Sequence, residues 1–123
     1  MREMKLRTPL IGFMATLGLI TAAMSLLSPT TAVNQDDLGI TALSNLRAYA
    51  GAGVVFAILG FISLSRKHLQ DTVLIMLMVS LIGWDIGQIM SYFVDGKPDS
   101  FTTGSIVVQA LLIPVVWKAL KSK

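Results

Sequence analysis

The sequence predicts an all-α fold, an integral membrane bundle of four antiparallel helices with both termini on the cytoplasmic side, and three observations predict it. Hydrophobic residues fill 54% of the 123 positions and charged ones 14%, with a mean hydropathy of +0.71. A soluble chain this small could not cover itself with so little polar surface, so lipid must be its solvent. The apolar residues are gathered into four segments of about 20 residues, enough at 1.5 Å per residue to cross a hydrocarbon core of about 30 Å. Finally, eight of the ten basic residues lie on one side of those segments: Arg2, Lys5 and Arg7, then Arg66 and Lys67, then Lys118, Lys121 and Lys123. Positively charged loops are retained in the cytoplasm during insertion, which sets the orientation.

The first span is expected over about residues 8–28, with Pro9 in its first turn, where no intrahelical donor is lost. A secretory signal is the competing reading of this end: Arg2, Lys5 and Arg7 as its basic region, and Thr30 to Ala32 as a weak cleavage site. The apolar run is long for such a segment, which favours a retained span. Pro29 ends the helix, and an outer loop follows with Asn34, Gln35, Asp36 and Asp37; Leu38 to Leu43 should lie along the interface.

Ser44 or Asn45 is the expected cap of the second span, about residues 44–64, which puts Arg47 in its first turn. Gly51, Gly53, Ala57 and Gly60 leave one side of this helix nearly free of side chains, a pattern that lets helices approach closely in lipid. Arg66, Lys67 and His68 sit in a short cytoplasmic hairpin before the third span, about residues 72–94. Asp95-Gly96-Lys97-Pro98-Asp99 reads as an outer turn. The fourth span, about residues 101–120, contains Pro114, which should kink it or free a carbonyl, and Trp117 and Lys118 as an interfacial anchor. No internal repeat or linker interrupts the chain, so residues 1–123 form one helical domain.

Asp85 is the residue that points most directly to chemistry. Insertion scales put roughly 2.5–3.5 kcal/mol on an aspartate at the centre of a span, so it should face the bundle and either find a partner or be protonated. Gln88 and Tyr92 follow on the same face, and Gln109 of the fourth span falls at a similar depth. Arg47 is the candidate counter-charge. An axial offset of about 9 Å separates it from Asp85, and the two side chains lean apart, so it either centres a polar network through Gln88, Tyr92 or water, or snorkels to the headgroups.

Other chemistry has little support in the residues. The basic groups lie at segment ends, where they serve topology and anionic headgroups rather than nucleic acid. With no cysteine there is no disulfide or thiolate metal site, and the lone His68 has no second ligand at metal spacing. Glycine-rich phosphate loops, nucleophile elbows and paired-histidine zinc motifs are absent from the sequence. The seven methionines, Met76, Met78 and Met90 among them, read as packing rather than as a cofactor site. A single intramembrane carboxylate cannot run the paired acid and base of a hydrolase. No cofactor or metal is expected.

Ser28-Pro29 at the end of the first span, Leu46-Arg47-Ala48-Tyr49-Ala50-Gly51 at the start of the second, and Gly87-Gln88 with Ser91 leading to Asp95-Gly96-Lys97-Pro98 resemble the bacterial four-span family designated domain of unknown function 4345. The resemblance covers nearly the whole chain and implies an arginine followed by a small-residue stretch, here Arg47 and Gly51 to Gly53. The family usually has an arginine where this chain has Gln88, so a double-arginine site does not carry over. The family is distantly similar to DoxX-type four-helix proteins, some of them linked to quinone-dependent redox complexes, which implies a fold more than an activity.

Together these readings give a small integral protein of the bacterial inner membrane whose residues favour a non-enzymatic role without deciding it. The first expectation is an accessory or scaffold subunit, in a homodimer or larger complex, whose Gly51, Gly53, Ala57 and Gly60 face packs another helix. The alternative is a small transporter or lipophilic-ligand-binding protein using Arg47, Asp85, Gln88, Tyr92 and Gln109. A component of a quinone-linked or lipid-modifying enzyme is the weaker third.

Overall fold

The computed structural model describes residues 4–28, 40–98 and 100–122. It contains four α-helices, α1 (Met4–Leu27), α2 (Ile40–Ser65), α3 (Gln70–Val94) and α4 (Ser100–Lys121), with a 3-10 turn at Lys67–Leu69 between α2 and α3. Four stretches are long and apolar enough to cross a membrane: Leu6–Leu27, Leu46–Ser65, Lys67–Val94, which includes the 3-10 turn before α3, and Thr102–Lys121. Stretches of 20 to 28 residues are about 30 to 42 Å long at 1.5 Å per residue, so each reaches across the hydrocarbon core. Large apolar side chains such as Phe13, Val55, Ile86, Phe93 and Leu111 are exposed along the helices, as lipid solvation requires. The loop with Asn34 to Asp37, expected outside, the proline and small residues at its start, and Arg2, Asp99 and Lys123 lie outside the described residues.

Two helix starts differ from expectation. α2 begins at Ile40, so Ser44 and Asn45 lie within it rather than capping it, and Arg47 is two turns in. Ile40 to Leu43 contain no glycine or proline, and nothing in their chemistry opposes continuing the helix. α1 begins at Met4, which moves Pro9 from the first turn to the second and leaves the carbonyl of Lys5 without its helical donor. α4 stays helical through Pro114, which in the same way frees the carbonyl of Ala110.

The chain falls into two compact units, residues 8–70 and residues 1–7 with 71–123. In the first, α1 and α2 run antiparallel along a seam of small residues. A Cβ placed on Gly60 would stand 3.0 Å from the Cβ of Ala15, and one on Gly53 would stand 3.0 Å from that of Ala22. Both pairs are seven residues apart, two helical turns, so a single register brings them together. Ala57, between the two glycines, and Ala50, beyond them, are buried on the same stripe. Gly51 is off the seam, with open space for 4 Å around the place a Cβ would take. The hydroxyls of Thr16 and Ser63 donate to the helix carbonyls of Gly12 and Gly60, so neither is left unpaired among apolar neighbours. The Gln70 amide donates to the carbonyl of Ser63 at 3.3 Å, closing the 3-10 turn.

In the second unit, α3 and α4 form a hairpin. α3 ends where Gly96 takes φ +113°, a conformation that side chains with a Cβ disfavour. Leu74 and Leu81 are buried on α3 and Val116 and Ala119 on α4. These apolar positions occupy the half of the hairpin nearer the chain terminus. The inward positions of the half nearer the turn are polar, and they form the candidate site.

Candidate functional site

Asp85 continues the buried stripe of α3 begun by Leu74 and Leu81, four residues on from the latter, because that spacing returns a side chain to the same helical face. It is only 6% exposed. Gln88 follows on that face one turn nearer the hairpin turn. Gln109 projects from α4, where its amide donates to the Ser105 hydroxyl at a long 3.4 Å.

The register of the hairpin brings these groups within about a turn of one another. Gln88 and Tyr92 of α3 line one cleft with Ile106 and Thr102 of α4, and Ser91 and Pro98 complete its wall toward the turn. The step from Tyr92 to Gln88 matches the step from Thr102 to Ile106, as antiparallel helices of equal rise demand. One further turn along each helix places Asp85 opposite Gln109. The cleft has a volume of about 240 Å³.

The hydrogen bonding of this group is incomplete. Asp85 Oδ1, Gln88 Oε1 and Gln109 Oε1 are all buried, and no donor reaches any of them. Buried acceptors are paired in the great majority of cases, and each one left unmade costs about 1–3 kcal/mol. Three such acceptors within about a turn of one another, beside the amide N–H donors of Gln88 and Gln109, make this the polar centre of the hairpin. Ser91 does not supply one, since its hydroxyl donates to Asp95 at 2.6 Å. Tyr92 stands at the cleft and is 44% exposed.

The other residues singled out in the sequence lie elsewhere. Arg47 belongs to the α1–α2 unit, is exposed, and makes no hydrogen bond or ion pair with a described residue. Gly53, Ala57 and Gly60 belong to that unit's seam with α1, and Gly51 does not meet it.

One polar centre was not anticipated. Arg7, 9% exposed, donates from Nε to the carbonyl of Ala119 at 2.8 Å and from one terminal nitrogen to the carbonyl of Leu120 at 2.7 Å. Its other terminal nitrogen pairs with the Asp71 carboxylate. The guanidinium thus joins the first turn of α1, the first turn of α3 and the last carbonyls of α4, using its forked donors on three acceptors. At the same end, the Lys121 ammonium lies 4.6 Å over the Trp117 ring. The charge pattern of the sequence accounted for Arg7 through topology alone. Asp71, an acid among the basic ends, was the available sign of a partner.

A family model described as "Domain of unknown function (DUF4345)" matches residues 7–120. No curated protein and no solved structure matches the chain.

Proposed function

The chain belongs to the DUF4345 family, whose description carries no activity, and we propose from its geometry that it is a non-enzymatic membrane protein that binds a small lipophilic molecule bearing hydrogen-bond donors. The site is the cleft between α3 and α4. The observation that carries this reading is the set of three buried acceptors without donors, Asp85 Oδ1, Gln88 Oε1 and Gln109 Oε1. A polar cluster that served only to hold helices together would be expected to satisfy itself, because a half-satisfied network is worse than an apolar core. One carboxylate beside two neutral amides supplies recognition rather than an acid and base pair. Gln88 lines the cleft, and Asp85 and Gln109 lie behind it.

The accessory or scaffold role rested on the small-residue face of α2. Gly53 and Gly60 of that face already meet Ala15 and Ala22 of α1, which leaves it less free for a second protein. The basic termini support placement in a bacterial inner membrane with both ends cytoplasmic, and the cleft then faces the outer half of the bilayer. Function as a homodimer or in a larger complex is compatible with this site.

Photolabelling tests the reading. The full chain in lipid nanodiscs is exposed to a neutral diazirine-bearing alkyl alcohol, and the modified peptides are mapped. Labelling within residues 88–106 that falls on Gln109→Leu substitution is expected. Uniform labelling of every lipid-facing helix, unchanged in the variant, would contradict it.

A further inference from the structure

We propose that the C-terminal end of α4 binds one anionic phospholipid, its phosphate held by Lys118 and Lys121 and an acyl chain laid along the exposed face of the helix. This surface is separate from the α3–α4 cleft and lies at the other end of the same unit.

Helical geometry builds the face. Val107, Leu111, Pro114, Trp117, Lys118 and Lys121 are all exposed. At about 100° per residue they fall within about 60° of Pro114 on either side, which makes them one stripe. The stripe is apolar from Val107 to Trp117 and cationic in its last two members. From Val107 to Lys121 it runs about 21 Å at 1.5 Å per residue, longer than half of a hydrocarbon core of about 30 Å. A phospholipid of one leaflet has the same division, with charge at the surface and hydrocarbon beneath it.

The lysines are left available by the bonding around them. Lysines in the last turn of a helix can turn back onto its open carbonyls, but here those acceptors are occupied. Arg7 donates to the carbonyls of Ala119 and Leu120. Ser122 donates from its hydroxyl to Ala119 at 2.8 Å and from its amide to the Lys118 carbonyl at 3.1 Å. Lys118 and Lys121 make no hydrogen bond or ion pair with a described residue. The same bonds remove an obstacle to an anion, since the partial negative charge of a helix C-terminus resides on its free carbonyls. The acid at this end is engaged as well, because Asp71 pairs with Arg7. Two ammonium groups therefore remain without a counter-charge among the described residues.

Trp117 sets their depth. The Lys121 ammonium lies 4.6 Å from the centre of its ring, a cation held against an exposed indole. Tryptophan settles at the level of the head groups, so the pair stands where a phosphate would be. A zwitterionic head group would bring its own cation against the two lysines, whereas an anionic one brings only the phosphate. A soluble phosphate ester would leave the apolar stripe uncovered. The partner class is thus a phospholipid with a net negative head group.

Trp117 is also the reporter, since the chain holds only two tryptophans. The full chain carrying Trp84→Phe, in phosphatidylcholine nanodiscs, is titrated with phosphatidylglycerol or phosphatidylcholine brominated on the acyl chains, whose bromines quench an indole they touch. Brominated phosphatidylglycerol is expected to occupy the surface beside Trp117 at least about fivefold more strongly, the share of one lysine near an anionic head group. Lys118→Gln combined with Lys121→Gln should bring that ratio close to one, and each single change should give an intermediate ratio. Lys97→Gln, in the turn at the opposite end, should leave it unchanged. Quenching by brominated phosphatidylcholine that is the same in every variant shows that each remains inserted. Trp84, read alone in Trp117→Phe, should show no such preference. Equal quenching of Trp117 by the two lipids would overturn the proposal. A preference that both single lysine variants retain in full, or that Trp84 shows equally, would overturn it too, because overall charge would then account for the attraction.

Discussion

Replacing Gly60 by alanine should loosen the α1–α2 unit, and the cost follows from one distance. The added methyl would lie 3.0 Å from the Cβ of Ala15, closer than the about 3.5–4.0 Å at which carbon atoms pack best, so the two helices must give locally by a few tenths of an ångström. Overpacking of this kind typically costs about 1–3 kcal/mol. Alanine also favours the helix by up to about 1 kcal/mol over glycine, which masks part of the loss. Gly51→Ala removes the mask: it carries the same helical gain, and nothing lies within 4 Å of its new methyl. The difference between the two variants should therefore be about 1–3 kcal/mol, with Gly60→Ala the less stable. Adding Gly53→Ala should cost less than the sum of the two single changes, because one separation of α1 from α2 relieves both the Ala15 and the Ala22 contacts. Equilibrium unfolding in mixed detergent micelles, followed by circular dichroism, measures all four proteins. If Gly60→Ala were as stable as Gly51→Ala, the close approach of α1 and α2 would be refuted.

Two other sites probe the basic residues. Asp71→Asn should cost less than about 1 kcal/mol, because the Asp71 side chain is 54% exposed and solvent screens the pair. Arg7→Met should cost about 2–3 kcal/mol, since it strips partners from the carbonyls of Ala119 and Leu120 as well. Arg7→Lys should recover less than half of that loss, for want of the planar fork; a full recovery in the same unfolding assay would show that charge alone matters. Arg47→Gln should stay within about 0.5 kcal/mol of the wild type, as for an exposed side chain without a described partner, and a loss above about 1 kcal/mol would reveal an interaction there.

The features legible in the sequence were those set by local pattern. Hydropathy marked the four helices, and the three-residue step from Asp85 to Gln88 fixed their common face because helical periodicity permits no other outcome. Gln109 was placed level with them by counting residues from a short turn, which works when two helices of equal rise leave the same hairpin. What escaped depended on distant partners. The glycines of α2 announced close packing, but nothing local named Ala15 and Ala22 as the residues they meet. Arg7 lies 64 residues from Asp71 and 112 from Ala119, separations over which one sequence holds no signal of contact. The start of α2 was missed for a different reason: Ser44 and Asn45 are good capping residues, but capping preference is worth only about 1 kcal/mol and does not halt a helix with apolar residues still to order ahead of it. That the Asp85 group would be left short of donors was not legible either, since satisfaction depends on side-chain placement rather than composition.

The central claim is that Asp85, Gln88 and Gln109 hold unmet acceptors for a ligand rather than a paired network for stability. The thermal midpoint of Gln109→Leu in detergent, without any added probe, tests it most directly. The change keeps the side chain near its size, removes a buried acceptor that has no donor, and sacrifices only the 3.4 Å contact to Ser105. An unmet acceptor costs about 1–3 kcal/mol, so the variant should unfold at a higher temperature than the wild type. A midpoint several degrees lower would mean that Gln109 is a satisfied structural residue, and would contradict the account.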